Sequence, residues 1–96
     1  MSFGVVHRIH DPEGWTKALD NEAPSDFHLH SFVEAEDRHV ALCVWEAPSS
    51  DALQEFLDRL FGHAAVNEVF PVDLHVMGGH GIEHYVPGWR ASISGR

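Results

Sequence analysis

Apolar and polar residues alternate over residues 3–9, 27–35 and 39–47. A period of two sends successive side chains to opposite faces, so each stretch predicts a β-strand. Residues 68–77, EVFPVDLHVM, predict a fourth, and Pro71 argues for a sheet edge, where a missing N–H is tolerated. Between the first two strands DPEGW signals a helix start: Asp11 as N-cap, Pro12 at the first helical position, Glu13 in the first turn. Trp15, Ala18 and Leu19 give that helix an apolar edge, and NEAPSD (residues 21–26) ends it as a turn cluster. The polar residues Glu36 to Arg38 suit a hairpin connection. Ser49 or Ser50 caps a second helix with Asp51 in its first turn, and Leu53, Phe56, Leu57, Leu60, Phe61 and Ala64 recur at helical spacing. Gly62 is placed to end it in a left-handed cap.

The order β-α-β-β-α-β predicts a ferredoxin-like α+β domain over residues 1–77, an antiparallel four-stranded sheet with two helices on one face. Residues 78–96 are glycine-rich and predict a C-terminal tail, docked on a partner subunit through Tyr85, Val86, Trp89 and Ile93. Two helices cover one sheet face and leave the other open. On the third strand the aliphatic set Val40, Leu42 and Val44 is expected under the helices, leaving His39, Ala41, Cys43 and Trp45 opposite. On the fourth, Phe70, Val72, Leu74 and Val76 would face the helices, leaving Pro71, Asp73, His75 and Met77. On the second, Phe27, Leu29 and Val33 would do so, leaving His28, His30 and Phe32. The first strand is ambiguous; His7 is assigned to the open face with Phe3, Val5 and Ile9. Such a face is too apolar for solvent, which predicts a homodimer of twofold symmetry closing sheet on sheet.

Composition narrows the partners. Six basic against 15 acidic residues give a net charge of −9 over 96 residues, which argues against nucleic acid, whose binding rests on Lys and Arg. No apolar run approaches the roughly 20 residues that span a bilayer, and the N-terminus lacks a signal-peptide pattern. With Cys43 as the sole cysteine, the expectation is a cytoplasmic protein without a membrane partner. No Gly-rich phosphate loop, serine-nucleophile elbow or paired CxxC is present.

Nine histidines stand out. His28 and His30, two apart on a strand, lie roughly 6.5 Å apart along the backbone, within reach of one ion. Imidazole suits nickel or zinc, and His7, Cys43, His75 or Asp73 would supply a further ligand. The alternative is a histidine-tolerant edge face, partly buried by the dimer. Cys43 reads equally as a small buried hydrophobe. Asp73 would orient His75. HGIEH (His80 to His84) fits H-x-x-E-H formally, but Gly79 and Gly81 disfavour the helix that pattern needs, so proteolysis is not expected. His80 or His84 would at most lend a ligand to the dimer cleft.

The segments HVALCVWEAPSSDAL and NEVFPVD, in this element order, resemble the dimeric α+β barrel superfamily. Within it they look like the small ferredoxin-like proteins that include a bacterial nickel-binding protein. The C-x-W-E-A-P segment (Cys43, Trp45, Glu46, Ala47, Pro48) carries most of the likeness. The resemblance implies a dimeric barrel whose cavities hold the ligand, but the superfamily also includes monooxygenases, chlorite dismutase-like proteins and stress-responsive barrels, so fold does not select function. The leading expectation is a homodimer binding a divalent metal, nickel or zinc, through His7, His28, His30, Cys43 and His75, with Phe32, Trp45, Asp73 and Met77 lining the cavity. A second is a cofactor-independent monooxygenase or isomerase acting on a small aromatic substrate there, with His7 or His75 as base. A third is a non-catalytic ligand-binding or structural dimer.

Overall fold

The computed structural model describes residues 1–73. The predicted tail, His75, Met77, His80 and His84 lie outside them. The elements are β1 (Ser2–Ile9), α1 (Pro12–Ala18), β2 (His28–Glu34), β3 (Val40–Glu46), α2 (Ser50–Phe61) and β4 (Ala65–Pro71). They form one antiparallel sheet in the order β2-β3-β1-β4, with both helices on one side, the ferredoxin-like α+β fold.

The helix starts follow their caps. The Asp11 carboxylate accepts from the N–H of Gly14 at 3.2 Å, with Pro12 beginning α1. The Ser49 hydroxyl accepts from the N–H of Ala52 at 3.1 Å and opens α2. Leu53, Phe56, Leu57 and Phe61 of α2 are buried against the sheet, each contributing about 1.5–3 kcal/mol of hydrophobic stabilisation. Gly62 corrects the expected left-handed cap, since its φ is −60°. A glycine is needed there because a Cβ would collide with the carbonyl oxygen of Asp58. The positive φ falls instead on Arg38, at 64°, in the β2–β3 hairpin. Its guanidinium donates to the carbonyl of Pro12 at 2.9 Å and ties the hairpin to α1.

The faces of β3 are the reverse of those expected. Ala41, Cys43 and Trp45 lie under the helices and are buried, whereas Val40 and Leu42 are exposed on the open face. Volume explains the reversal. Trp15, Phe56 and Phe61 project from the helices, and small residues beneath them (Ala41, Cys43, Ala65) leave room to interdigitate. A row of valine and leucine there would overpack.

β1 pairs Val5 with Cys43 and His7 with Ala41, so Phe3, Val5, His7 and Ile9 face the helices too. His7, expected on the open face, is fully buried on the covered one. β4 begins and ends earlier than the 68–77 expected, and places Ala65, Asn67 and Val69 inward. Phe70, expected inward, lies on the open face over Gly4, where a Cβ would come within 2.7 Å of its ring.

β2 is an edge strand with a bulge between Leu29 and Ser31. The extra residue flips the parity that strict alternation predicts. Phe32 pairs with Cys43 and turns to the helix face, where it stacks on Trp15 at 6.4 Å. Val33 pairs with Leu42 and turns to the open face.

Candidate functional site

His7 sits at the centre of the covered face, with its ring 4.8 Å from Trp15 and 5.7 Å from Phe61. Both ring nitrogens are engaged: Nδ1 with Oδ1 of Asn67 at 2.7 Å, Nε2 with the Cys43 sulfur at 3.2 Å. Asn67 fixes the tautomer. Its Nδ2 donates to the carbonyl of Leu57 at 3.3 Å and to Asp58 Oδ1 at 3.0 Å. Its Oδ1 must therefore accept, and the His7 Nδ1–H donates. Nε2 then carries a lone pair and receives the Cys43 S–H.

The composition of this trio, Cys–His–Asn, is that of a thiol protease site, but its electrostatics run the other way. Burial pushes the Cys43 thiol up to about 12, a shift the Trp45 indole opposes only in part. Burial likewise holds His7 below its ordinary 6.5, with the Asn67 hydrogen bond pulling upward. A nucleophilic cysteine needs the thiolate–imidazolium form, and this pocket favours the neutral pair. The trio is a satisfied buried network that locks β1, β3 and β4 together beneath α2.

The expected metal set is thereby divided. His7 and Cys43 lie beneath the helices, bonded to each other, on the opposite side of the sheet from His28. Both His28 and His30 lie at the exposed β2 edge, where His28 pairs with Glu46 and His30 Nε2 lies 3.6 Å from Glu46 Oε1. Among the described residues no group of three or more His, Cys, Asp or Glu side chains is placed to hold one ion. Asp73 is exposed beyond the end of β4. Phe32 and Trp45 line the covered side rather than an open-face cavity.

A second feature lies beside the network. Leu19, Phe27, Leu29, Trp45, Phe56 and Phe61 line a half-open cavity of about 250 Å³ between the helices and the β2–β3 side of the sheet, with Asn21 its one polar side chain among the described residues. Trp45 and Phe56 meet edge to face at 6.0 Å, and Phe27 packs on Phe56 at 5.2 Å. The Trp45 indole N–H is buried and, among the described residues, has no partner beyond its weak interaction with the Cys43 thiol.

The open face is aliphatic. The register sets Val33, Leu42 and Val6 in one row, and Val44, Gly4 and Phe70 in the next. Val33 is 59% exposed, Leu42 48%, Val66 60% and Phe70 41%. Arg8 and Glu68 form an exposed ion pair at 2.8 Å on the same face.

Asn67 lies outside the expected fourth strand, which starts three residues later than β4 does. Its signal was a lone polar residue at the alternate position between Ala65 and Val69, opposite a histidine. Trp45, expected on the open face, lies under the helices.

No helix among the described residues is long and apolar enough to cross a membrane. A crystal structure of SCO4226 from Streptomyces coelicolor A3(2) is similar, with a TM-score of 0.53 and 24% sequence identity over 75% of this chain and 95% of that one. At that identity the likeness supports the fold. No curated protein matches the chain. A family described as a domain of unknown function, DUF8652, matches residues 3–80. The chain belongs to that family.

Proposed function

We propose that the chain is a homodimeric binding module for a small organic molecule rather than an enzyme. The observation that carries the dimer is the open sheet face, where Val33, Leu42 and Val6 in one row and Val44 and Phe70 in the next form an apolar patch, bordered by the Arg8–Glu68 ion pair with Val66 beyond it. A surface of this kind is characteristic of an interface, and a second copy offers the matching one under twofold symmetry. The helix-side cavity of each protomer then remains free for the ligand. Binding is favoured over catalysis because the Cys43–His7 pair is held neutral and fully bonded.

Leu42→Asp tests the dimer. Placing a carboxylate at the centre of the apolar rows is expected to convert the dimer to a folded monomer, read by light scattering with circular dichroism as the control for folding. An unchanged molar mass in a folded variant counts against the interface.

A second reading places a divalent ion such as nickel or zinc at the β2 edge. It is favoured by His30 Nε2 lying 3.6 Å from Glu46 Oε1, with His28 opposite Glu46 in the strand register. Imidazole and carboxylate are ligand types that such ions take. That reading expects stoichiometric metal and a raised melting temperature after nickel or zinc is added, both abolished in His28→Ala/His30→Ala. An absence of any shift removes it.

A further inference from the structure

We propose that the helix-side cavity takes a small aromatic amine, with its ring among the apolar residues and its ammonium at the mouth, held by Asn21 Oδ1 and the Glu22 carboxylate. The inference rests on the binding-module reading of the cavity and adds the class of ligand. It does not depend on the dimer.

The interior sets the body of the ligand. Every described residue that lines the cavity is uncharged, so an ion wholly inside it would lose its water without compensation. Phe27, Trp45, Phe56 and Phe61 supply aromatic surface, which favours a flat unsaturated group. Size follows from volume: an engineered apolar cavity of about 150 Å³ holds benzene. The present cavity, about 250 Å³, therefore suits a guest of roughly ten heavy atoms.

The mouth sets the charge. A second, more open hollow shares Asn21, Ala23, Phe56 and Leu60 with the cavity and adds Glu22, Pro24 and Arg59. The two adjoin along those four residues, so a guest seated in the cavity extends into the second hollow. The Asn21 Nδ2 donates to the carbonyl of Ala18 at 3.1 Å, which orients the amide and leaves Oδ1 as an acceptor. Of the described residues lining either hollow, Arg59 alone is cationic, and its guanidinium lies 3.7 Å from Glu55 Oε1. Glu22 has no such counter-ion among the described residues. The mouth therefore offers two acceptors and one uncompensated negative charge, in a chain of net charge −9. An ammonium, which donates three hydrogen bonds and accepts none, complements that set, whereas a carboxylate meets like charge.

Phenethylamine, phenethyl alcohol and hydrocinnamate carry the same ring and differ in the charge at the chain end. The experiment titrates each into the protein at neutral pH and low salt, followed by proton–nitrogen correlation NMR. That readout gives the affinity and locates the site through the amides of Ala23, Phe56 and Leu60. The amine is expected to bind about 2- to 5-fold more tightly than the alcohol, the range of one exposed ion pair, and the carboxylate more weakly than either. High salt should remove the preference. Glu22→Gln, at an exposed position, should abolish it and leave the alcohol's affinity unchanged. Glu36→Gln removes the same charge from the hairpin, at the far end of the β2–β3 register from Leu29 and Trp45, and should preserve it. Equal binding of amine and alcohol, tighter binding of the carboxylate, or a preference that survives Glu22→Gln overturns the amine and leaves the cavity as the ligand site. A preference lost equally in Glu36→Gln does the same, since net charge alone would then produce it. No binding at those amides by any of the three overturns both.

Discussion

Trp15→Ala is expected to lower the unfolding free energy by about 3–5 kcal/mol, the range for emptying a buried aromatic site. Trp15 is fully buried and is the point where α1 meets the sheet. Its ring lies 4.3 Å from Phe61, 4.8 Å from His7 and 6.4 Å from Phe32. Its indole N–H donates to Glu34 Oε1 at 3.0 Å. The substitution therefore opens a cavity over His7 and leaves an edge-strand carboxylate without its donor. A domain of this size has about 5–15 kcal/mol in total, so the loss takes a large share. Urea unfolding at one fixed protein concentration measures it, because dimerisation makes stability concentration-dependent. A loss under about 1 kcal/mol would mean that α1 is not docked through this residue.

The second large effect lies in the polar network. Asn67→Leu strands the His7 Nδ1–H in an apolar interior and breaks two bonds to α2, an expected loss of about 2–4 kcal/mol. Adding His7→Leu removes the stranded donor, so the double variant is expected to be less damaged than the sum of its single changes. Additive losses would show that the two side chains do not interact.

The same network sets a pH dependence. The folded state holds His7 neutral, with its pKa below the ordinary 6.5. The unfolded chain therefore takes up a proton more readily. This contribution to stability is fully present above about pH 6.5 and is lost as pH falls through the folded value. Cys43 acts at the alkaline end. Its thiol, raised to about 12 from 9.0, leaves stability intact below pH 9.0 and erodes it as the unfolded chain ionises above that. The acid arm is the easier to isolate: the slope between the native protein and His7→Leu/Asn67→Leu should differ below pH 6.5 and coincide above it. Coincident slopes throughout would contradict a buried neutral His7.

The order of elements was legible because each boundary is marked locally. Asp11–Pro12 and Ser49 cap the helices, the periodic run from Leu53 to Phe61 defines α2, and the polar Glu36–Arg38 segment makes the hairpin. The faces were not legible. Alternation identifies two sets on β3 but not which set is covered, and hydrophobicity pointed to Val40, Leu42 and Val44. What decides the face is volume: the bulky rings of the two helices require Ala41 and Cys43 beneath them. The bulge in β2 is likewise invisible to a strict period of two, so Phe32 and Val33 exchanged sides.

The site followed the same logic. His7 and Cys43 were recognisable as unusual residues, but their partnership depends on the β1–β3 register, and that of Asn67 on β1–β4. Both are long-range pairings. His28 needs only local alternation and pairs with Glu46 on the open side, whereas His30 falls in the bulge, its Nε2 3.6 Å from Glu46 Oε1.

Sedimentation equilibrium of the native chain over a range of concentrations tests the central claim most directly. A molar mass near twice 10.7 kDa at micromolar concentration is the expected result, with the aliphatic open face buried between copies. A well-folded monomer at every concentration would contradict it, leaving Val33, Leu42, Val66 and Phe70 exposed and the homodimeric reading without its interface.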